Sequence, residues 1–241
     1  MAVIYYFLES RVRPWVPILC AIFTSLLFLW HLPLQMLATI FRQPPVLKMM
    51  QASTFFTAFV GHFIGSGLME ELFKILPVCV VFSLLYVGRR QSKERAWLRT
   101  PRLWILLGAA SATGFTIMET LIDYLPKLQG SEALSKGMML LIPRLFTGIC
   151  GHIAWSGIFA YLIGLALFSR RSYIPLVLGG WFASSLLHAL WNASDAAGLP
   201  LISVLVSMGT FGLFIAQFVH AKELIPRTKA IKQRIGNSFA L

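Results

Sequence analysis

Six long runs of apolar residues, each able to cross a lipid bilayer, divide this chain, and no other feature constrains its fold as strongly. A spanning helix needs about 20 predominantly apolar residues. The first run extends from about Trp15 to Ile40, with His31 and Pro33 interrupting it. The second lies within Phe55 to Val87, the third from Leu103 to about Leu125, and the fourth within Met138 to Phe168. The fifth extends from Ile174 to about Ala193 and the sixth from Pro200 to Val219. The expected fold is all-α: a polytopic helical membrane bundle of about six transmembrane helices, one domain over residues 1–241. The second and fourth runs exceed one span, so each is expected to begin with an interfacial piece or to be tilted.

Composition and charge support this and set the orientation. Hydrophobic residues make up 57% of the chain and charged residues 12%, against about 25% charged in a soluble domain. The net charge of +12 would suggest nucleic acid in a soluble protein. Here the basic residues sit in short connections, where the positive-inside rule and anionic lipid place them, and no nucleic-acid partner is expected. Arg89, Arg90, Lys93, Arg95, Arg99 and Arg102 crowd the second connection, Arg170 and Arg171 the fourth, and Lys222, Arg227, Lys229, Lys232 and Arg234 the tail. With six helices these fall on one side, together with Arg11 and Arg13, and both termini are expected to be cytoplasmic, in a prokaryotic cytoplasmic (inner) membrane. Arg42 and Lys48 dissent, falling on the other side. The charges of the N-terminal stretch follow its apolar residues, unlike a signal peptide, so the first helix is expected to be retained. Cys20, Cys79 and Cys150 match no metal or disulfide spacing and read as small buried hydrophobes. Trp15, Trp97, Trp104 and Tyr124 read as an interfacial belt. Gly61 with Gly65, Gly108 with Ala112, and Ser156 with Ala160 and Gly164 have the spacing that lets helices approach closely.

Against this background the ionisable residues at membrane depth stand out. The second run holds Glu70, Glu71 and Lys74, the third Glu119 and Asp123, the fourth Arg144, His152 and Ser156, and the fifth His188 and Asn192. Each charged side chain at the bilayer centre costs about 2.5–3.5 kcal/mol on insertion scales, so half a dozen represent about 15 kcal/mol before pairing. Glu70 and Lys74, Phe115 and Glu119, His152 and Ser156, and His188 and Asn192 are each four apart and share a helix face. Four polar faces that cannot contact lipid are expected to converge.

Two chemistries suit such a set. In one, a Glu in a low-dielectric site acts as general base or acid on water, a His holds the water or protonates the leaving amine, and Asn192 donates to an oxyanion. In the other, Glu119, His152 and His188 hold a metal, Zn²⁺ being suited to such ligands, with another Glu as base. Glu70, Glu71, Glu119, His152, His188 and Asn192 are the candidate catalytic residues in either case.

The ordered motifs Glu70-Glu71-x-x-Lys74, Gly114-Phe115-x-x-x-Glu119, His152 and His188-x-x-x-Asn192 resemble the PrsW family of intramembrane proteases, over about residues 55–200. That family is grouped with CAAX-prenyl and bacteriocin-processing proteases. Lys74 and Glu119 stand where the CAAX proteases carry Arg and His, which places this chain nearer PrsW. The resemblance implies a membrane-embedded peptidase, often a metalloprotease, with a membrane protein or peptide as substrate. A proton-coupled transporter or channel using the same Glu/His set as a relay is the alternative; such folds are commonly built on internal repeats, and no repeat is visible. A third possibility is a membrane scaffold that binds partner helices.

Overall fold

A computed structural model describes residues 14–88, 98, 100–128, 131–169 and 173–238, with side chains at 124, 127–128, 131–145 and 225–238 left undescribed. The basic residues Arg11, Arg13, Arg89 to Arg99, Arg170 and Arg171, and the side chains of Lys127, Arg144 and the tail beyond Leu224, lie outside the description.

All regular structure among the described residues is helical. Helices α1 (Trp15–Trp30) and α2 (Leu32–Phe41) meet at 69°. The break falls at His31, whose φ of 61° precedes Pro33 in the first turn of α2. The imidazole side chain tolerates this left-handed region better than a branched residue would. Short helix α3 (Pro44–Met50) leads into α4 (Phe55–His62), which runs through a π-helical turn, Phe63–Leu68, into α5 (Met69–Gly88). α6 (Pro101–Glu119) likewise ends in a π-helical turn, Thr120–Tyr124. α7 (Ser131–Ser169), α8 (Tyr173–Ala196) and α9 (Pro200–Ser238) complete the bundle. Among the described residues, five helical segments are long and apolar enough to span, and the bent α1–α2 pair, counted as one span, makes six. The expected excess length of the second run is real: Phe55–Gly88 covers 34 residues, about 50 Å of helix against a hydrocarbon core of about 30 Å.

α6 and α7 form the centre. Their spans are 61% and 72% buried, against 22% for that of α9. Gly108 permits the close approach: a Cβ there would lie 2.6 Å from the Ala160 Cβ and 2.7 Å from the Ser156 carbonyl. Helix α1 lies parallel to α6, with Cys20 Sγ donating to the Leu107 carbonyl (3.7 Å) and Thr24 bonded to Ser111 (2.9 Å). Beneath the polar cluster, Phe28, Phe73 and Phe115 pack with ring centroids 5.3 to 6.4 Å apart. The outward faces of α5 and α9 carry exposed Leu84, Val87, Leu201 and Leu205, as a lipid-facing surface requires.

Two expectations are corrected. Only Cys20 is a buried cysteine; Cys79 is exposed and Cys150 half-buried. An apolar run in a membrane does not distinguish protein-facing from lipid-facing positions. Trp104 is buried against Phe82 (4.8 Å) rather than standing in an interfacial belt, because α6 is surrounded by other helices.

Candidate active site

The polar faces of α5, α6, α7 and α8 meet. Glu70 and Glu71 occupy the first turn of α5, directly after the π-helical turn. A π-turn inserts an extra residue and changes the direction in which the following side chains leave the helix. Its sequence, FIGSGL, contains Gly67, where a Cβ would collide with the Ser185 carbonyl of α8. The other carboxylate, Glu119, is the last residue of α6 before the second π-turn. Both π-turns therefore border a carboxylate of the cluster.

Glu71 is fully buried and is the hub of the hydrogen bonds. Lys74 Nζ pairs with its Oε1, Ser156 Oγ donates to its Oε2 (2.8 Å), and His188 Nδ1 lies 3.1 Å from Oε1. A carboxylate only accepts, so Nδ1 of His188 carries the proton and the Nε2 lone pair is presented to the cluster. That nitrogen is 3.6 Å from Glu70 Oε2. The Trp155 ring stacks on the His188 imidazole at 4.5 Å and 16°, fixing its plane.

His152 stands beside His188, ring centroids 4.9 Å apart. Its Nδ1 is 2.9 Å from Lys74 Nζ and its Nε2 3.3 Å from Glu119 Oε2. Lys74 also lies 4.9 Å over the Phe115 ring, and Ser111 Oγ donates to the Lys74 carbonyl (2.6 Å), in the turn loosened by Pro77. The cluster opens on one side, where the Glu119 side chain is 16% and that of Arg42 32% exposed, while Glu70, Glu71, Lys74, His152 and His188 are all enclosed.

One oxygen of Glu70 and one nitrogen each of His152 and His188 lie within 4.8 Å of one another. Glu70 Oε2 is buried and accepts no hydrogen bond among the described residues. A buried carboxylate oxygen without a hydrogen bond, 3.6 Å from the His188 Nε2, fits a divalent cation, and two His with one Glu is a donor set of the zinc type. The hydrogen bond between His188 and Glu71 is the kind of support that orients a metal-binding imidazole. A cation taking either nitrogen of His152 displaces the hydrogen bond made there. Glu119, grouped with the histidines from the sequence, lies beside this set through its contact with His152.

Asn192 is half-buried one turn beyond His188. Asp123 is exposed in the second π-turn, His62 faces Ser66 (3.2 Å), and His220 meets the Tyr161 hydroxyl (2.5 Å). Sequence reasoning missed Arg42. Its Nη2 donates to Glu70 Oε1 (3.0 Å) and its Nε to the Gly65 carbonyl (2.8 Å). The available signal was its dissent from the charge pattern: an Arg on the side otherwise poor in basic residues.

No curated protein and no solved structure matches the chain. A family's sequence profile does match it, over residues 13–219, a stretch that contains every residue of this cluster, and the chain belongs to the PrsW family of intramembrane metalloproteases.

Proposed function

We propose that this protein hydrolyses a peptide bond of a membrane protein or membrane-associated peptide at the Glu70–His152–His188 cluster, with Glu119 as general base. The observation that carries the reading is the convergence of these three residues from three helices, with Glu70 Oε2 buried and unpartnered. Family membership favours hydrolysis over the proton-relay alternative.

Glu70, His152 and His188 would hold the metal, for which zinc suits the donors. When bound, it would polarise the scissile carbonyl and make water a nucleophile near neutral pH. Glu119, at the open side of the cluster, receives a proton from the attacking water. The water oxygen bonds to the carbonyl carbon, the C–N bond breaks, and the proton is delivered to the departing amine. Glu71 keeps His188 in the tautomer that presents Nε2, and Asn192 supplies a side-chain donor for the carbonyl oxygen as it gains charge. The enclosed walls limit water to the Glu119 and Arg42 side, which strengthens each of these interactions.

The reading includes a prokaryotic cytoplasmic membrane with both termini cytoplasmic. Two contacts support that orientation. Parallel packing puts the start of α1 on the same side as the start of α6. At that start, Arg102 donates to the carbonyls of Ala221 and Lys222 near the end of the last span. The N-terminal end, the most basic connection and the C-terminal end therefore share a face. His188 lies 8 residues before the end of α8 and 15 after its start, about 12 and 22 Å, so the cluster is nearer the opposite face.

The test is metal analysis of purified protein beside a peptidase assay on a membrane substrate. Wild type is expected to hold one metal ion per chain. Glu70→Gln and His188→Ala are expected to reduce metal affinity and to lower cleavage at least about 10²-fold while remaining folded. Near-normal cleavage by both variants would sink the catalytic reading. Cleavage that persists after complete metal removal would exclude the metal version and leave the glutamate–histidine water version standing.

A further inference from the structure

We propose that Arg42 is a positioning residue for this reaction: it fixes the Glu70 carboxylate so that one oxygen is neutralised and the other faces the two histidines. The proposal rests on Glu70, His152 and His188 forming the metal-holding set.

The two oxygens of Glu70 have different surroundings. Oε1 accepts from Arg42 Nη2 at 3.0 Å, whereas Oε2 is buried, accepts nothing and is 3.6 Å from His188 Nε2. Rotation of the carboxylate would exchange them, and Arg42 is the group that distinguishes one from the other. Its hold is two-pronged. The Nε donates to the Gly65 carbonyl, in the π-turn that precedes Glu70 on the same continuous helix. The guanidinium thus spans the backbone and the side chain of one element, and measures Glu70 against its own support. The planar fork of Arg can make both bonds at once, and the single ammonium of Lys cannot reproduce that geometry.

Arg42 is itself firmly delivered. It caps α2, its N–H bonded to the Ala38 carbonyl (2.8 Å). Leu34 and Leu37 of α2 pack on the Phe28–Phe73–Phe115 cluster. Phe41 meets Trp181 edge to face at 6.5 Å, and Trp181 Nε1 donates to the Leu68 carbonyl at the end of the same π-turn (3.0 Å). The bend at His31 carries α2 across the site and sets the guanidinium at its open side. The broken first span therefore has a chemical consequence: a straight helix through Ile40 would take Arg42 out of reach of Glu70.

The plainer role, neutralising a buried carboxylate, needs only charge, and this is what the experiment separates. Full-length protein in detergent is titrated with Co²⁺, followed by its visible absorption, for wild type, Arg42→Lys, Arg42→Ala, Glu70→Gln and Arg42→Ala/Glu70→Gln. Arg42→Lys and Arg42→Ala are expected to weaken Co²⁺ binding about 10–100-fold and to alter the absorption spectrum. In the Glu70→Gln background, Arg42→Ala should add nothing further, because the residue acts through that carboxylate. Cleavage by Arg42→Lys should fall in kcat, with KM within about twofold of wild type. Should Arg42→Ala fail to fold, Arg42→Lys carries the test. Wild-type Co²⁺ affinity and spectrum in Arg42→Lys would overturn the proposal, as would an equal loss from Arg42→Ala with and without the Glu70 carboxylate. If Glu70→Gln loses Co²⁺ while both Arg42 variants keep it, the positioning role is wrong and the active-site reading survives. If wild type binds no Co²⁺ at all, this proposal and the metal version of the active-site reading both fall.

Discussion

Replacing Glu71 by Gln probes the hub of the cluster most directly. The side chain has three donors: Lys74 Nζ, Ser156 Oγ and His188 Nδ1. A hydrogen bond to a charged group contributes about 1.5–3 kcal/mol. Gln retains one acceptor oxygen but turns the other position into a donor, aimed at a group that also donates. Lys74 then loses its one direct ion-pair partner among the described residues, with its side chain 1% exposed, so solvent offers almost no screening. Removing one partner of such a pair costs about 3–5 kcal/mol, and that is the expected loss for Glu71→Gln. Lys74→Met is expected to cost a similar amount, since it strands the Glu71 carboxylate. Combining the two leaves no uncompensated charge, and the double variant should recover about 2–3 kcal/mol of the summed cost. Reversible unfolding in mixed SDS–detergent micelles supplies the four stabilities. A cost below about 1 kcal/mol for Glu71→Gln, or a double variant equal to the sum of the singles, would refute the hub argument.

Trp155 is fully buried with its ring on the His188 imidazole. Trp155→Ala should cost about 3–5 kcal/mol in the same assay and lower cleavage, whereas Trp155→Phe, which keeps an aromatic face there, should cost less; equal losses from both would show that the stacking is immaterial. Topology reporters fused after Arg99 and at the C-terminus should both read cytoplasmic, and one near Lys127 the opposite; agreement between the Arg99 and Lys127 reporters would overturn the orientation.

The spans were legible because their cause is simple: hydrocarbon demands length and internally satisfied backbone, and both leave marks in the linear sequence. The interruption at His31 and Pro33 was visible too, and it is where α1 and α2 bend apart by 69°. Convergence of Glu70, Glu71, Glu119, His152 and His188 followed from the same exclusion from lipid. Other features left no such mark. Gly61 and Gly65 read as packing residues, and nothing in FIGSGL announces a π-turn rather than an α-helix. Arg42 is 28 residues from Glu70, and their meeting depends on the direction of a bend, which a local pattern does not encode. Cys79 and Trp104 were misplaced for a related reason: in a membrane both lipid-facing and protein-facing positions are apolar, so periodicity loses the contrast that marks a buried face in a soluble helix.

The adjacent glutamates show how a small geometric fact becomes a division of chemical roles. On a helix, consecutive residues point about 100° apart, so Glu70 and Glu71 cannot serve the same direction. Glu71 turns toward Lys74 and Ser156 in the interior, Glu70 toward Arg42 at the open side. Yet both reach the same imidazole, Glu71 at Nδ1 and Glu70 at Nε2. One carboxylate can then be spent on holding the ring while the other keeps an oxygen uncommitted. A single glutamate could do one or the other. A pair two helical turns apart would lie about 11 Å apart along the axis and could not flank a single ring. Adjacency within one turn satisfies both needs, and it explains why this membrane helix carries two acidic residues side by side.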